Sequence, residues 1–153
     1  MEPTQEYLRE RFTYDEEAGV LIWRTHLRTA RYVGKVAGCR NTDGYLRINL
    51  NKKSHVTHRL IWVYLNGEIP EGLEIDHIDG DKTNNRIDNL RLATRTQNRW
   101  NRKEKGYRFK DNRFELSIGH MGEYIYVGRY KTEAEAEKAY KEKCKELRGE
   151  FAV

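Results

Sequence analysis

Residues 73–90, LEIDHIDGDKTNNRIDNL, set Asp76 and His77 side by side at the end of an apolar run and follow them with an acidic, amide-rich loop. Carboxylate, imidazole and amide side chains together could serve hydrolysis of a phosphodiester. That reaction needs a hard cation on the phosphoryl oxygens, a base that takes a proton from water, and a frame that keeps both in line. Carboxylate and amide oxygens are suitable ligands for Mg²⁺, which keeps most of its waters and completes its shell with substrate phosphate. A neutral imidazole, titrating near neutrality, suits the base.

The elements around these residues have to bring them together. Neighbouring residues of a strand point to opposite faces, so Asp76 and His77 can serve one centre only where the strand ends or bends. The Asp79-Gly80-Asp81 turn supplies the bend. Asn89, at the loop's return, can tie the loop backbone together through its two-donor, two-acceptor amide and so orient His77. Thr94 and Gln97 have the spacing of a capping box, which starts a helix at ATRTQNRW and puts Asn98 in its first turn. From there its amide can project towards the strand end carrying Asp76. With Leu73 and Ile75 on one strand and Leu90 and Leu92 on the next, a ββα unit spans residues 73–102. Taken singly, the same residues also read as turn chemistry: Asp76, Asn84 and Asn85 as turn formers, Asn89 as a side-chain cap. Asp79 and Asp81 read as turn formers first. His58 reads as a capping or surface histidine, and His26 and His120 have no partner spacing that assigns them a role.

In combination, EIDHIDGDKTNNRIDNLRLATRTQNRWN resembles the His-Asn-His (HNH) endonuclease motif, in the variant with Asp-His at the front and Asn in the third position. It is similar to phage intron-encoded nicking and homing endonucleases. The preceding THRLIWVYLNGEIPEG also matches what leads into that motif, so the resemblance covers residues 44–102. It implies that His77 is the general base, Asn89 the loop-fixing asparagine, and Asp76 and Asn98 the metal ligands. An Asp/Asn pair favours Mg²⁺ or Mn²⁺ over Zn²⁺.

Charge is distributed unevenly. Residues 82–113 hold eleven Lys and Arg against three Asp and Glu, whereas residues 1–81 hold eleven against thirteen and residues 114–153 seven against eight. A local basic surplus favours a polyanion, and double-stranded DNA is the expected partner. Its candidate contacts in and after the motif helix are Arg95, Arg99, Arg102, Lys103 and Lys105.

The rest of the chain is read from its periodicity. An amphipathic stretch around Tyr7, Leu8 and Phe12 is followed by a hairpin, FTYDEEAGVLIWR, turning near Glu17-Ala18-Gly19. Alternating Tyr45, Leu46, Ile48 and Leu50 turn at Asn51-Lys52-Lys53 and resume at His55, giving a second hairpin. Leu60, Ile61, Tyr64 and Leu65 then recur at helical spacing up to the stop at Asn66-Gly67. Residues 101–113 read as a basic linker. Beyond it come strands around Gly119–Gly122 and a helix that Thr132 and Glu135 cap and Gly149 ends. Residues 106–151 resemble the plant Apetala-2/ethylene-response DNA-binding domain. The likeness lies in Gly106, the strand Phe114–Ile118, the run Val127-Gly128-Arg129-Tyr130, and Ala139-Tyr140. It implies a three-stranded sheet laid in the major groove with the helix behind it. Arg108, Lys110, Arg113 and Arg129 would then contact bases or phosphates, with Tyr124 and Tyr126 as groove-facing aromatics.

The expected fold class is therefore α+β: N-terminal hairpins (residues 1–43), a ββα-metal HNH nuclease domain (44–102), and a basic linker with the Apetala-2-like module (103–153). With 35% charged and 37% hydrophobic residues, each unit has a thin core. Cys39 and Cys144 have no paired spacing, and no signal peptide or bilayer-length run is evident, so a cytoplasmic, reducing location is expected. The expected function is a metal-dependent DNA endonuclease, acting as a monomer and nicking one strand. The alternatives are a sequence-specific DNA-binding regulator with an inert nuclease unit, and a phage packaging factor using the same nuclease within a complex.

Overall fold

Thr4 is a good helix N-cap, and its hydroxyl accepts the Tyr7 amide at 3.3 Å, starting α1 (Gln5–Arg11). The structure, a computed structural model, describes residues 3–25, 30–101 and 105–152. Immediately after α1, β1 (Phe12–Asp15) pairs antiparallel with β2 (Val20–Trp23), from Phe12 opposite Trp23 to Asp15 opposite Val20. A second sheet has the order β3 (Cys39–Arg40), β4 (Leu46–Leu50), β5 (Lys53–Val56). Leu50 faces Lys53 across the two-residue turn Asn51-Lys52, both at positive φ (50° and 63°), the type I′ geometry whose twist matches the strands. The chain enters α2 (Thr57–Asn66) directly from β5, and Gly67 ends it at φ 86°. A two-stranded ribbon follows, β6 (Leu73–His77) with β7 (Leu90–Thr94), and then α3 (Arg95–Trp100).

The chain divides into two compact units, Met1–Arg95 and Thr96–Val153. In the first, one core gathers Leu8, Phe12, Leu21, Ile48, Leu60, Ile75 and Leu90, so both hairpins, α2 and the ribbon share a single apolar centre. The second unit contains an antiparallel sheet of β8 (Tyr107–Lys110), β9 (Arg113–His120) and β10 (Glu123–Tyr130), in the order β10-β9-β8. α4 (Glu133–Arg148) covers one of its faces, with Leu116 and Ile118 packed against Tyr140 and Cys144. The Thr132–Glu135 capping box is formed in both directions, and Gly149 stops the helix at φ 56°. No helix among the described residues is long and apolar enough to cross a membrane. Cys39 and Cys144 are both free thiols.

Two elements differ from the sequence reading. Residues 101–113 are not all linker, because β8 occupies Tyr107–Lys110. Asp111-Asn112, at φ 47° and 57°, makes a tight turn that pairs Lys110 with Arg113. A strand of alternating aromatic and basic residues beside an Asx-rich turn has little apolar signal of its own. β3 was not anticipated either. It is two exposed residues added to the edge of β4, too short to show a period.

Candidate active site

The ribbon β6–β7 fixes where Asp76 and His77 point. Asp76 is in register with Arg91 and His77 with Leu90, so the two lie on opposite faces of the strand's last two positions. Beyond His77 the chain turns at once: the Gly80 amide donates to the His77 carbonyl at 3.0 Å and the Ile78 amide to the Asn89 carbonyl at 2.9 Å. Asp76 and His77 are buried, at 4% and 5% exposure.

On one face, Arg91 Nε and Nη2 each reach Asp76 Oδ2 at 2.9 Å. Arg91 went unnoticed in the sequence because nothing local sets the register across a twelve-residue loop. On the other face, His77 Nε2 lies 2.8 Å from Asn85 Oδ1. With the amide oxygen facing the ring, Nε2 is the donor of this pair, which leaves Nδ1 as the ring nitrogen not engaged by Asn85. Asn85 is 1% exposed, and its Nδ2 has no hydrogen-bond partner among the described residues. Its sequence reading as a turn former is therefore incomplete: it is a buried side chain committed to His77.

His58 is also corrected. Its position as the second residue of α2 buries it against His77, the rings meeting edge-on at 4.8 Å, with the Tyr45 ring 5.3 Å from the His58 ring. Burial pushes His58 down from its ordinary 6.5 to about 3, with the charges of His77, Arg59 and Arg47 adding to the shift. The neutral ring therefore supports the fold fully above about pH 6.5, and that support is lost as pH falls towards 3. At roughly 1.4 kcal/mol per pH unit, the wild type should lose about 2 kcal/mol between pH 6.5 and 5 that His58→Leu does not lose. Urea unfolding at the two pH values checks this, and equal pH slopes would refute it.

The loop between the strands is knotted by Asn89. Its Nδ2 donates to Asp79 Oδ1 (2.9 Å) and to the Asn84 carbonyl (2.8 Å), while its Oδ1 accepts from the Asp79 amide (3.1 Å). Asn84 Nδ2 adds a bond to Asp79 Oδ2 at 2.7 Å. Burial raises the Asp79 carboxyl, but the hydrogen bonds from Asn84, Asn89 and the Asp81 amide outweigh it and hold the group below its ordinary value. Asp81 in turn accepts from the Thr83 amide and hydroxyl. Asp79 and Asp81 are loop builders.

The N-terminal hairpin buttresses this loop. The Ile87 amide donates to the Tyr14 hydroxyl at 3.0 Å. Gly19, at φ 65°, lies so close that a Cβ there would stand 2.6 Å from the Arg86 nitrogen and 2.9 Å from the Asn85 carbonyl carbon. Gly19→Ala should cost about 1–3 kcal/mol and displace Asn85. A lowered melting temperature together with a change in the His77 ring signals by NMR is the expected result. Unchanged ring signals would mean the hairpin does not position Asn85.

Asn98 lies on α3, in the second compact unit. Arg95 and Arg99 are exposed on the same helix, and Arg102 and Lys103 lie outside the described residues. In the second unit, α4 covers one side of the sheet and the other side is open. Strand alternation puts Arg108, Lys110, Arg113 and Arg129 on that open side, with Tyr124 (86% exposed) and Tyr126 (59%). Glu115 sits among them and pairs with Arg108 at 2.8 Å, while Arg129 reaches Asp111 at 3.3 Å. Lys105 pairs with Glu133 at 3.2 Å. Lys110 and Arg113 are exposed at the turn.

The site thus consists of a paired ribbon ending in Asp-His and an asparagine-knotted loop, with a helix following in sequence. Residues 55–100 match the family model described as HNH endonuclease. Over 102 residues the chain is 38% identical to an uncharacterized HNH endonuclease, L560, of Acanthamoeba polyphaga mimivirus, covering 63% of this chain and 54% of that protein. It is 41% identical over 68 residues to DNA endonuclease I-HmuI of Bacillus phage SP01, covering 42% of this chain and 39% of that one. The solved structure of the HNH homing endonuclease I-HmuI, on DNA binding and cleavage, aligns at TM-score 0.42 and 30% identity over 55% of this chain and 47% of that chain. The chain thus spans about half or less of the length of these relatives.

Proposed function

We propose that this protein is a metal-dependent endonuclease that hydrolyses phosphodiester bonds in double-stranded DNA, nicking one strand, with the C-terminal module selecting the site. The observation that carries the reading is the His77 imidazole, held by Asn85 and His58 at the end of β6 within the HNH segment. In it His77 takes the proton of the attacking water at Nδ1. Asn89 keeps the loop in the shape that orients His77. Asp76 and Asn98 hold the ion, which when bound would polarise the phosphoryl oxygen.

The donor set supports a hard ion. Among the described residues no three His, Cys, Asp or Glu side chains gather as a metal cage. One carboxylate and one amide oxygen suit an ion that keeps waters and takes substrate oxygens, as Mg²⁺ and Mn²⁺ do, better than Zn²⁺. Arg91 already neutralises part of the Asp76 charge, which favours weak ion binding completed by the DNA phosphate.

DNA binding is assigned to Arg95, Arg99 and the open face of the C-terminal sheet. Affinity should fall steeply with salt, because each Lys or Arg on a phosphate releases counterions. The function itself is tested by incubating the protein with supercoiled plasmid and Mg²⁺, with EDTA as control. Open-circular product is expected. Linear product would replace nicking by double-strand cleavage, and intact plasmid would overturn the endonuclease reading. Arg91's hold on Asp76 is the observation that favours the second reading, a DNA-binding regulator without cleavage. Salt-dependent binding with intact plasmid would establish it.

A further inference from the structure

α3 is six residues long, and none of them is fully buried. A helix of that length is not stable by its own hydrogen bonds, so side-chain packing must hold it. Within the second unit that packing is visible at its last residue. The Trp100 ring stacks on His120, with centroids 4.9 Å apart and planes 19° from parallel. The Arg148 guanidinium lies 5.9 Å from the centroid of the same indole. Arg148 is fixed in turn by its Nη2, which donates to the Gly119 carbonyl at 3.1 Å. His120 ends β9 and Arg148 ends α4, so Trp100 meets the sheet and the helix of the module at once.

His120 Nδ1 and Arg148 Nε are buried with no hydrogen-bond partner among the described residues. Apart from the Arg148–Gly119 hydrogen bond, this seam therefore depends on ring stacking and a cation over a ring. Asn98 lies two residues before Trp100 on this short helix, so whatever fixes Trp100 also fixes the helix that presents Asn98.

We propose that Trp100 is a positioning residue: through His120 and Arg148 it fastens α3 to the C-terminal module, which thereby holds the Asn98 helix in place in addition to offering its open sheet face. The meaning given to Asn98 rests on the endonuclease reading above. The fastening itself does not.

Two measurements on the full chain test it. Hydrogen exchange of the α3 amides should speed up by about tenfold in His120→Ala, and likewise in Trp100→Ala, while β9 and α4 amides keep wild-type protection. Mn²⁺ affinity, read as loss of the free-ion EPR signal, should weaken by about tenfold in the same variants. Trp100→Phe and His120→Phe, which keep a stacked pair, should restore both. Wild-type α3 exchange in the alanine variants overturns the fastening. Faster α3 exchange with unchanged Mn²⁺ affinity overturns the positioning role. Loss of protection throughout β9 and α4 would make Trp100 a general stability residue and also overturns it. A wild type that leaves plasmid intact counts against the endonuclease reading alone, since neither measurement uses cleavage.

Discussion

His77→Gln should cut DNA about 10²–10⁴-fold more slowly than the wild type, with DNA affinity changed by less than about twofold. The choice of Gln matters. His77 is buried between Asn85 and His58, so His77→Ala would open a cavity and leave Asn85 Oδ1 without its donor, at a cost of about 1–3 kcal/mol. Gln fills part of the space, and its amide N–H can still donate to Asn85. It cannot take a proton from water near neutral pH. A fall in rate with an unchanged urea midpoint therefore isolates the base. DNA affinity should not follow, because it depends on Lys and Arg side chains spread over 82–113 and the C-terminal sheet, and the substitution changes none of them. Plasmid nicking, filter binding and urea melts on the same preparation separate the three quantities. If His77→Gln nicks within about tenfold of the wild type, another group is the base.

What could be read from the sequence depended on how local its cause was. α4 was legible to the residue at both ends, since Thr132, Glu135 and Gly149 act within one turn of the helix. So were the hairpins at Gly19 and Asn51-Lys52 and the stop of α2 at Gly67, where backbone sterics decide. Asn89 was readable as a loop-tying residue because its partners, Asp79 and Asn84, lie within ten residues. Asn85, His58 and Arg91 were not. Whether an asparagine in an Asp/Asn-rich turn faces solvent or a histidine depends on how the loop packs, and that packing is set by Gly19 and Tyr14, more than sixty residues upstream. His58 is polar by type and buried by tertiary position. β8 was hidden because its aromatic residues, Tyr107 and Phe109, alternate with basic ones in a stretch whose charge dominates its appearance.

The Asp76–Arg91 pair separates stability from chemistry most sharply. Both side chains are largely buried, at 5% and 13% exposure, so neither charge has water to fall back on. Removing only one partner leaves the other desolvated: Asp76→Ala and Arg91→Ala should each cost about 3–5 kcal/mol. Removing both charges with apolar side chains of similar size is a different perturbation, because neither buried ion of the pair remains. Asp76→Leu combined with Arg91→Met should recover most of the loss, and the coupling in the double-mutant cycle should amount to several kcal/mol. Cleavage should not recover with it, since the carboxylate assigned to the ion is gone. Arg91→Met alone should act in the opposite sense on the metal, lowering the Mg²⁺ concentration for half-maximal nicking as the competing guanidinium is withdrawn. A double variant that nicks with a wild-type Mg²⁺ titration would remove Asp76 from the ligand set. A double variant as unstable as Asp76→Ala would show that the pair's burial, and not its broken symmetry, sets the cost.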